Sequence, residues 1–152
     1  MSEELRVEKQ NSRITNDDSQ VTNHPLRMIA WEVTRGCNLA CVHCRASAER
    51  GPYPEELTTQ ECFRIMDGVN SINKPVIILT GGEPLLREDI FDLSRYGSSK
   101  GFRMVMATNG TLITEETIQE MKDSGIQRIS ISLDGPNPET HDAFRKVKGA
   151  FE

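Results

Sequence analysis

Residues 76–84 read VIILTGGEP. Four apolar residues, three of them β-branched, are followed by a threonine, two glycines, a glutamate and a proline. A short β-branched run bounded by turn residues is typical of a strand. The segment therefore predicts a strand over residues 76–79 that is followed by a glycine loop.

A strand followed by a distinctive loop is predicted three more times along the chain. A strand over residues 28–33, interpreted as buried on both faces because its short run is largely apolar, precedes a group of cysteines. A strand over residues 102–107 precedes Thr-Asn-Gly, and an alternating apolar strand over residues 128–133 precedes Asp-Gly-Pro. Each of these strands is thus predicted to deliver a polar or glycine-containing loop at its carboxyl end.

Helical patterns separate the predicted strands. Thr58 and Glu61 have the spacing of a capping box, which predicts a helix start, and Cys62 lies on the apolar stripe of that helix. Three more helices are expected: over residues 89–96, with Gly97 and Gly101 bracketing the turn that follows; between the cap Thr114 and the closing Gly125; and from about Pro138.

Strands that alternate with helices of this length predict βαβ units and a parallel sheet, so the expected fold class is α/β. The four loops would gather at the carboxyl edge of the sheet, where such folds place their chemistry. Four strands cannot close a barrel, so we interpret residues 24–152 as the N-terminal part of a longer core domain, preceded by a polar, flexible arm over residues 1–23. A complete four-stranded domain is the alternative.

Charge and composition narrow the classes of function. The net charge is −5 and no basic stripe is visible, which argues against nucleic acid as the main partner. No apolar run is long enough for a membrane helix, and the N-terminus lacks the apolar stretch of a secretory signal, so we expect a cytoplasmic protein. Because the cytosol keeps thiols reduced, the 4 cysteines are better interpreted as metal ligands than as disulfides.

Three cysteines stand close together, at positions 37, 41 and 44. Thiolates at this spacing in one loop can ligate three corners of an iron–sulfur cube and leave the fourth iron open. Zinc is the alternative, but a closed zinc site needs a fourth ligand, which only His43 or Cys62 could supply. His43 is adjacent to Cys44, and Cys62 has the position of a small buried hydrophobe.

The cysteine spacing after a first strand, followed by Gly-Gly-Glu-Pro after a second, resembles the radical S-adenosylmethionine (SAM) superfamily. The resemblance runs from about Met28 to the end of the chain. It implies a partial, TIM-like (β/α)6 barrel, of which this chain holds the first four units. It also implies a [4Fe-4S] cluster on Cys37, Cys41 and Cys44 that cleaves SAM reductively to a 5′-deoxyadenosyl radical, with a ferredoxin or flavodoxin as the low-potential electron donor.

The resemblance also implies which residues contact SAM. The glycines would let the backbone approach the ligand, and a carboxylate could accept a hydrogen bond from the SAM ammonium group. The alternatives are a purely structural role for the Gly-Gly-Glu-Pro loop, an Asx turn at Asn109, and a solvated surface position for Arg145. No further catalytic residue is assigned. The predicted SAM contacts are Gly81, Gly82 and Glu83 at the ammonium group, Asn109 and Ser132 at the carboxylate or ribose, His43 at the adenine, and Arg145 at the carboxylate.

The substrate is the least defined part of the prediction. The runs WEVT at residues 31–34 and HDAFR at residues 141–145 resemble the radical SAM group with SPASM or twitch extensions. Within it, the likeness is to enzymes of haem d1 and siroheme-dependent haem synthesis, so we expect a small tetrapyrrole substrate; a peptide substrate is the runner-up. A ferredoxin-like electron carrier and a zinc-binding module are the alternatives from other classes. A third alternative is that the chain is inactive by itself because its barrel is incomplete.

Overall fold

The computed structural model describes residues 25–48, 51 and 53–152, so the predicted arm over residues 1–23 lies outside the described residues. Four strands form one sheet in the order β1-β2-β3-β4, and all neighbouring pairs are parallel. This arrangement confirms the α/β class and the four predicted strand-and-helix units. The strands are β1 (Met28–Thr34), β2 (Val76–Gly81), β3 (Arg103–Thr108) and β4 (Ile126–Ile131).

Four α-helices and one short 3-10 helix connect and follow the strands. The capping box at Thr58 and Glu61 is formed in both directions, and Thr114 caps the third helix. Gly125 follows the third helix with φ of +82°, a conformation that favours glycine. The helices are α1 (Thr59–Ile72), α2 (Ile90–Ser99), α3 (Glu115–Asp123) and α4 (Pro138–Arg145), with the 3-10 helix Pro84–Leu86 between β2 and α2.

The two faces of the sheet have different surroundings. Alternate residues of the central strands pack into one apolar core with Met66 of α1, Leu93 of α2 and Met121 of α3. The intervening residues point to the opposite face, where Glu32, Thr80 and Ala107 line a cavity. The helices α1 to α3 therefore cover one face, and the other face is left for the site. The strand residues in the core include Ile77, Leu79, Met104 and Met106.

The prediction that residues 28–33 are buried on both faces was wrong. Met28 keeps 59% of its surface exposed, and burial along β1 alternates. The strand lies at the edge of the described sheet and only one of its faces meets helices, so a continuous apolar sequence did not produce continuous burial. The predicted β4 was also displaced: it spans residues 126–131, and Leu133 lies beyond it and is 67% exposed.

The turn predicted between Gly97 and Gly101 begins later than expected. Helix α2 continues to Ser99, and Gly97 is buried inside it. A Cβ atom at Gly97 would lie 2.5 Å from the sulfur of Met104, so the glycine permits close packing of α2 on β3. The turn itself is made at Gly101, where φ is +82°.

Helix lengths bear on the expectation about membranes. Within residues 25–48, 51 and 53–152, no helix combines the length and the apolar character needed to cross a bilayer.

Candidate active site

A cavity of about 260 Å³ lies at the carboxyl edge of the sheet, on the face that α1 to α3 leave uncovered. The loops that follow β1, β2, β3 and β4 all contribute to it, as expected for parallel strands. Among the ten residues predicted for the cluster and SAM, nine line this cavity, and Glu83 does not. The nine are Cys37, Cys41, His43, Cys44, Gly81, Gly82, Asn109, Ser132 and Arg145.

Each of the three cysteine sulfurs in the loop accepts at least one N–H donor. The backbone N–H of Leu39 donates to Cys37 Sγ at 3.4 Å, and that of Ala48 donates to Cys44 Sγ at 3.3 Å. The sulfur of Cys41 instead accepts from Nη1 of Arg145 at 3.4 Å. Hydrogen bonds of this type stabilise thiolates, which is the form that binds iron.

The pKa of the Cys37 thiol is raised. Burial is the main cause, and the N–H of Leu39 opposes it. The negative charge of Glu83 and the other two thiolates of the loop raise this pKa further. Three thiolates in one loop therefore repel each other, and a cationic group bound between them would relieve that repulsion.

The end of helix α4 holds the cysteine loop in place. The carbonyl of Arg145 accepts from the N–H of Ala40 at 3.3 Å, and the carbonyl of Phe144 accepts from the N–H of Val42 at 3.0 Å. The ring of His43 stacks on Phe144 with centroids 4.6 Å apart and planes inclined by 24°. The planar side chain at position 43 is thus supported from a helix about a hundred residues further along the chain.

The two glycines after β2 lie directly against the segment that precedes Cys37. The N–H of Gly82 donates to the carbonyl of Thr34 at 2.8 Å, and the N–H of Glu83 donates to that of Gly36 at 2.7 Å. A Cβ atom at Gly81 or Gly82 would overlap this backbone, and Gly81 has φ of +137°. The loop therefore needs glycine for packing against the cysteine segment, in addition to any approach to a ligand.

Glu83 lies beneath the cavity and is not part of its lining. Its side chain is fully buried and accepts from Thr108 Oγ1 at 2.8 Å, from the N–H of Asn109 at 2.7 Å and from the N–H of Leu85 at 3.1 Å. Burial raises the pKa of Glu83, and these three hydrogen bonds oppose the rise. The carboxylate thus joins the loops after β2 and β3 beneath the cavity, and its contact with a SAM ammonium group stays a prediction.

Asn109 makes the Asx turn considered for it and also lines the cavity, and its contact with SAM stays a prediction. Its Oδ1 accepts from the N–H of Thr111 at 2.9 Å, as in an Asx turn, while the residue also lines the cavity. Its Nδ2 donates to Oδ1 of Asn38 at 2.9 Å and lies 4.0 Å from Cys37 Sγ. Asn109 therefore connects the loop after β3 to the cysteine loop. On the next strand, the N–H of Ser132 donates to the carbonyl of Thr108 at 3.2 Å.

Arg145 is not a solvated surface residue, so that alternative was wrong. Only 6% of its surface is exposed. One end of the guanidinium donates to Cys41, and the other end pairs with the carboxylate of Asp134. Its Nε is the one buried side-chain nitrogen or oxygen without a hydrogen-bond partner among the described residues. A buried donor without a partner, in a residue that lines the cavity, indicates an acceptor supplied by a ligand.

Sequence reasoning missed Asp134, Thr108 and Asn38 as parts of this site. Each of them acts through a partner at least eleven residues away in sequence. Only the position of Asp134 and Thr108 at strand ends could have indicated their role, because the carboxyl ends of parallel strands meet at one edge.

The donor set fits an iron–sulfur cluster better than a single metal ion. Within the part of the chain that the structure describes, no three His, Cys, Asp or Glu side chains converge closely enough to hold one ion. Each thiolate of a cubane cluster binds a different iron atom, so its ligand sulfurs need not converge in that way. Cys62, considered above as a fourth zinc ligand, belongs to a different apolar cluster from Cys37.

Comparison with known families agrees with this site. The model of the radical SAM superfamily matches residues 31–152. The chain belongs to the radical SAM superfamily. Its match begins within β1 and extends over all four loops of the cavity.

Two relatives with haem-related names match most of this chain. The chain is 54% identical to the AdoMet-dependent heme synthase of Methanosarcina barkeri (strain Fusaro / DSM 804) over 132 residues, which are 87% of this chain and 38% of the relative. It is 35% identical to the pre-heme d1 synthase of Dinoroseobacter shibae (strain DSM 16493 / NCIMB 14021 / DFL 12) over 128 residues, 84% of this chain and 31% of the relative. The chain thus spans about a third of the length of these relatives. This agrees with the predicted likeness to radical SAM enzymes of haem synthesis.

A solved structure shows the same fold. BtrN in complex with AdoMet and 2-DOIA superposes with a TM-score of 0.64 at 25% identity, over 80% of this chain and 50% of BtrN. The four-stranded parallel sheet with alternating helices is thus that of radical SAM enzymes.

Proposed function

We propose that this chain binds a [4Fe-4S] cluster through Cys37, Cys41 and Cys44 and binds SAM beside it, for reductive cleavage of SAM. The observation that carries the proposal is the single cavity that collects the three cysteines and the predicted SAM residues from all four strand ends. Membership of the radical SAM superfamily supports it. When bound, the cluster would supply the electron that breaks the sulfonium bond of SAM and leaves a 5′-deoxyadenosyl radical.

The residues of the chain would hold and orient the two cofactors. Three thiolates leave one coordination position of the cluster open, which is the condition for a ligand to bind there. The backbone of Gly81 and Gly82 would face the amino group of SAM. Asn109 and Ser132, at adjacent strand ends, would meet its polar groups, and the unpartnered Nε of Arg145 would donate to its carboxylate. His43, supported by Phe144, would lie against the adenine.

The substrate we propose is a tetrapyrrole precursor of haem. The likeness to the AdoMet-dependent heme synthase supports this choice, because it covers most of this chain. An electron donor of low potential, a ferredoxin or flavodoxin, would serve as the partner, and the cytoplasm would be the location. A direct test adds a haem precursor to the reduced, SAM-loaded protein and follows both the tetrapyrrole and 5′-deoxyadenosine by chromatography; a precursor that stays unchanged contradicts this substrate class.

Cluster binding is tested by anaerobic reconstitution with iron and sulfide. We expect about four irons and four sulfides per chain for the unmodified protein and a large loss for Cys37→Ala, Cys41→Ala or Cys44→Ala. Cys62→Ala is the matched control, because Cys62 lies in the helix-covered core and should leave the iron content unchanged. Equal loss in all four variants, or stoichiometric zinc in place of iron, would contradict the proposal.

A further inference from the structure

The three cysteine sulfurs of the proposed cluster site do not have equivalent surroundings. Cys37 and Cys44 each accept from a neutral backbone N–H. Cys41 accepts from the guanidinium of Arg145, at 3.4 Å from Nη1 to Sγ. One corner of the site therefore meets a charged donor, whereas the other two meet only neutral donors, including the side-chain amide of Asn109 at 4.0 Å from Cys37 Sγ.

The position of this charge is fixed by its own contacts. The carboxylate of Asp134 pairs with Nη2 of Arg145, and the two side chains are 26% and 7% exposed. The backbone of Arg145 is tied to the cysteine loop as well, because its carbonyl accepts from the N–H of Ala40. The guanidinium is thus held between Asp134 on one side and Cys41 on the other.

We infer that Arg145 raises the reduction potential of the cluster through its charged hydrogen bond to Cys41, and that Asp134 is the positioning residue that holds Arg145 there. The inference rests on the proposed function, since it needs a cluster on Cys41. Adding an electron makes the cluster more negative, and a fixed positive charge and an N–H donor at a ligand sulfur both favour that reduced state. A cluster that receives its electron from a low-potential donor becomes easier to reduce in this way.

The two residues of the pair make separate predictions. Replacing Arg145 removes both the charge and the hydrogen bond, so the midpoint potential should become more negative. Asp134 holds Arg145 in place but also carries its own negative charge, whose loss by itself favours the reduced cluster. Asp134→Ala should therefore shift the potential less positively in the natural background than in the Arg145→Met background. Arg145→Lys keeps the charge but lacks the planar guanidinium that reaches both Cys41 and Asp134. The midpoint potential of its cluster should therefore lie between those of the unmodified protein and Arg145→Met.

The experiment is a redox titration of the reconstituted chain, followed by the electron paramagnetic resonance signal of the reduced cluster. The variants are Arg145→Met, Arg145→Lys, Asp134→Ala and the double variant Asp134→Ala with Arg145→Met. Glu139→Gln, which removes one negative charge from an exposed position of the same helix, is the control and should leave the potential unchanged. Circular dichroism and iron content show in each case that the fold and the cluster are present.

Each outcome has a defined meaning. A more negative potential in Arg145→Met, an intermediate one in Arg145→Lys and an Asp134→Ala shift that is less positive in the natural background than in the Arg145→Met background support the inference. Potentials that match the unmodified protein, or additive shifts from the two residues, overturn it while leaving the cluster assignment intact. Failure of the unmodified chain to assemble any cluster would instead contradict the proposed function, and this inference would fall with it.

Discussion

The backbone N–H of Asn109 donates to the buried carboxylate of Glu83 at 2.7 Å. This bond joins the loop after β2 to the loop after β3 beneath the cavity. The other oxygen of the same carboxylate accepts from Thr108 and Leu85, so Glu83 determines how both loops leave the sheet. An acidic residue that sequence reasoning assigned to ligand binding thus has a clear structural role.

Removing this carboxylate should destabilise the protein. In Glu83→Leu, the buried N–H of Asn109 and the hydroxyl of Thr108 lose their acceptor, and an unsatisfied buried group costs about 1–3 kcal/mol. We expect the free energy of unfolding in urea to fall by at least that amount. Glu88→Leu, at an exposed position nearby, is the control and should change it little. Equal stability of the two variants would show that the Glu83 bonds do not hold the loops.

Arg87 is expected to be a second determinant of stability. Its guanidinium, with a side chain 8% exposed, donates to Asp89 at 2.6 Å and to the carbonyls of Val33 and Leu57. Arg87→Met leaves Asp89 and two carbonyls without this donor, and loss of one partner from a buried pair costs about 3–5 kcal/mol. Arg95→Met is the control, because both ion pairs of Arg95 are about half exposed and should contribute about 0–1 kcal/mol. Urea unfolding compares the two variants, and equal losses would contradict the prediction.

The contribution of Arg87 should depend on pH. Burial alone would raise the pKa of Asp89, but hydrogen bonds from Arg87 and Thr59 lower it below its ordinary value of 3.8. A carboxylate with a lowered pKa in the folded state contributes stability that is present above the ordinary pKa and is lost as the pH falls through the folded-state value. The difference in urea midpoint between the unmodified protein and Asp89→Asn should therefore be large at neutral pH and shrink well below pH 3.8. A difference that is constant with pH would show that Asp89 is not paired as a carboxylate.

The Gly-Gly loop should tolerate no side chain. In Gly82→Ala, the added Cβ meets the backbone carbonyls of Arg35 and Gly36, which cannot move without displacing Cys37. We expect a loss of about 1–3 kcal/mol in stability and a lower iron content after reconstitution. Gly68→Ala is the control, because nothing lies within 4 Å of a Cβ there and helix α1 should gain about 0.4–1 kcal/mol. Normal iron content in Gly82→Ala would show that the loop does not position the cysteine segment.

Local features of the chain were predictable from the sequence. The capping box at Thr58, the cap at Thr114 and the glycine at Gly125 depend on neighbours within a few residues, and the structure confirms all three. The gathering of the loops at one edge also followed, because parallel strands bring their carboxyl ends together. The cysteine and Gly-Gly-Glu-Pro motifs, through the resemblance they carry, indicated ten residues for the site, and nine of these ten line the cavity.

The remaining features depend on contacts between distant parts of the chain. The guanidinium of Arg145 donates to Cys41, which lies 104 positions away, and the partners of the Glu83 carboxylate lie as far as 26 positions away. The exposure of Met28 depends on which face of the sheet the helices cover, and the apolar pattern of a single strand does not contain that information. Apolar periodicity therefore identified the helices and strands, and the cysteine and glycine motifs identified the site. Neither indicated which contacts hold the site residues in place.

The most direct measurement of the central claim is the formation of 5′-deoxyadenosine. The reconstituted chain is reduced with dithionite under anaerobic conditions, SAM is added, and the products are separated by chromatography beside Cys41→Ala and Cys62→Ala. The account predicts 5′-deoxyadenosine with the unmodified chain and with Cys62→Ala, and none with Cys41→Ala. A cluster-loaded, reduced chain that forms no 5′-deoxyadenosine, or equal formation with Cys41→Ala, would contradict it.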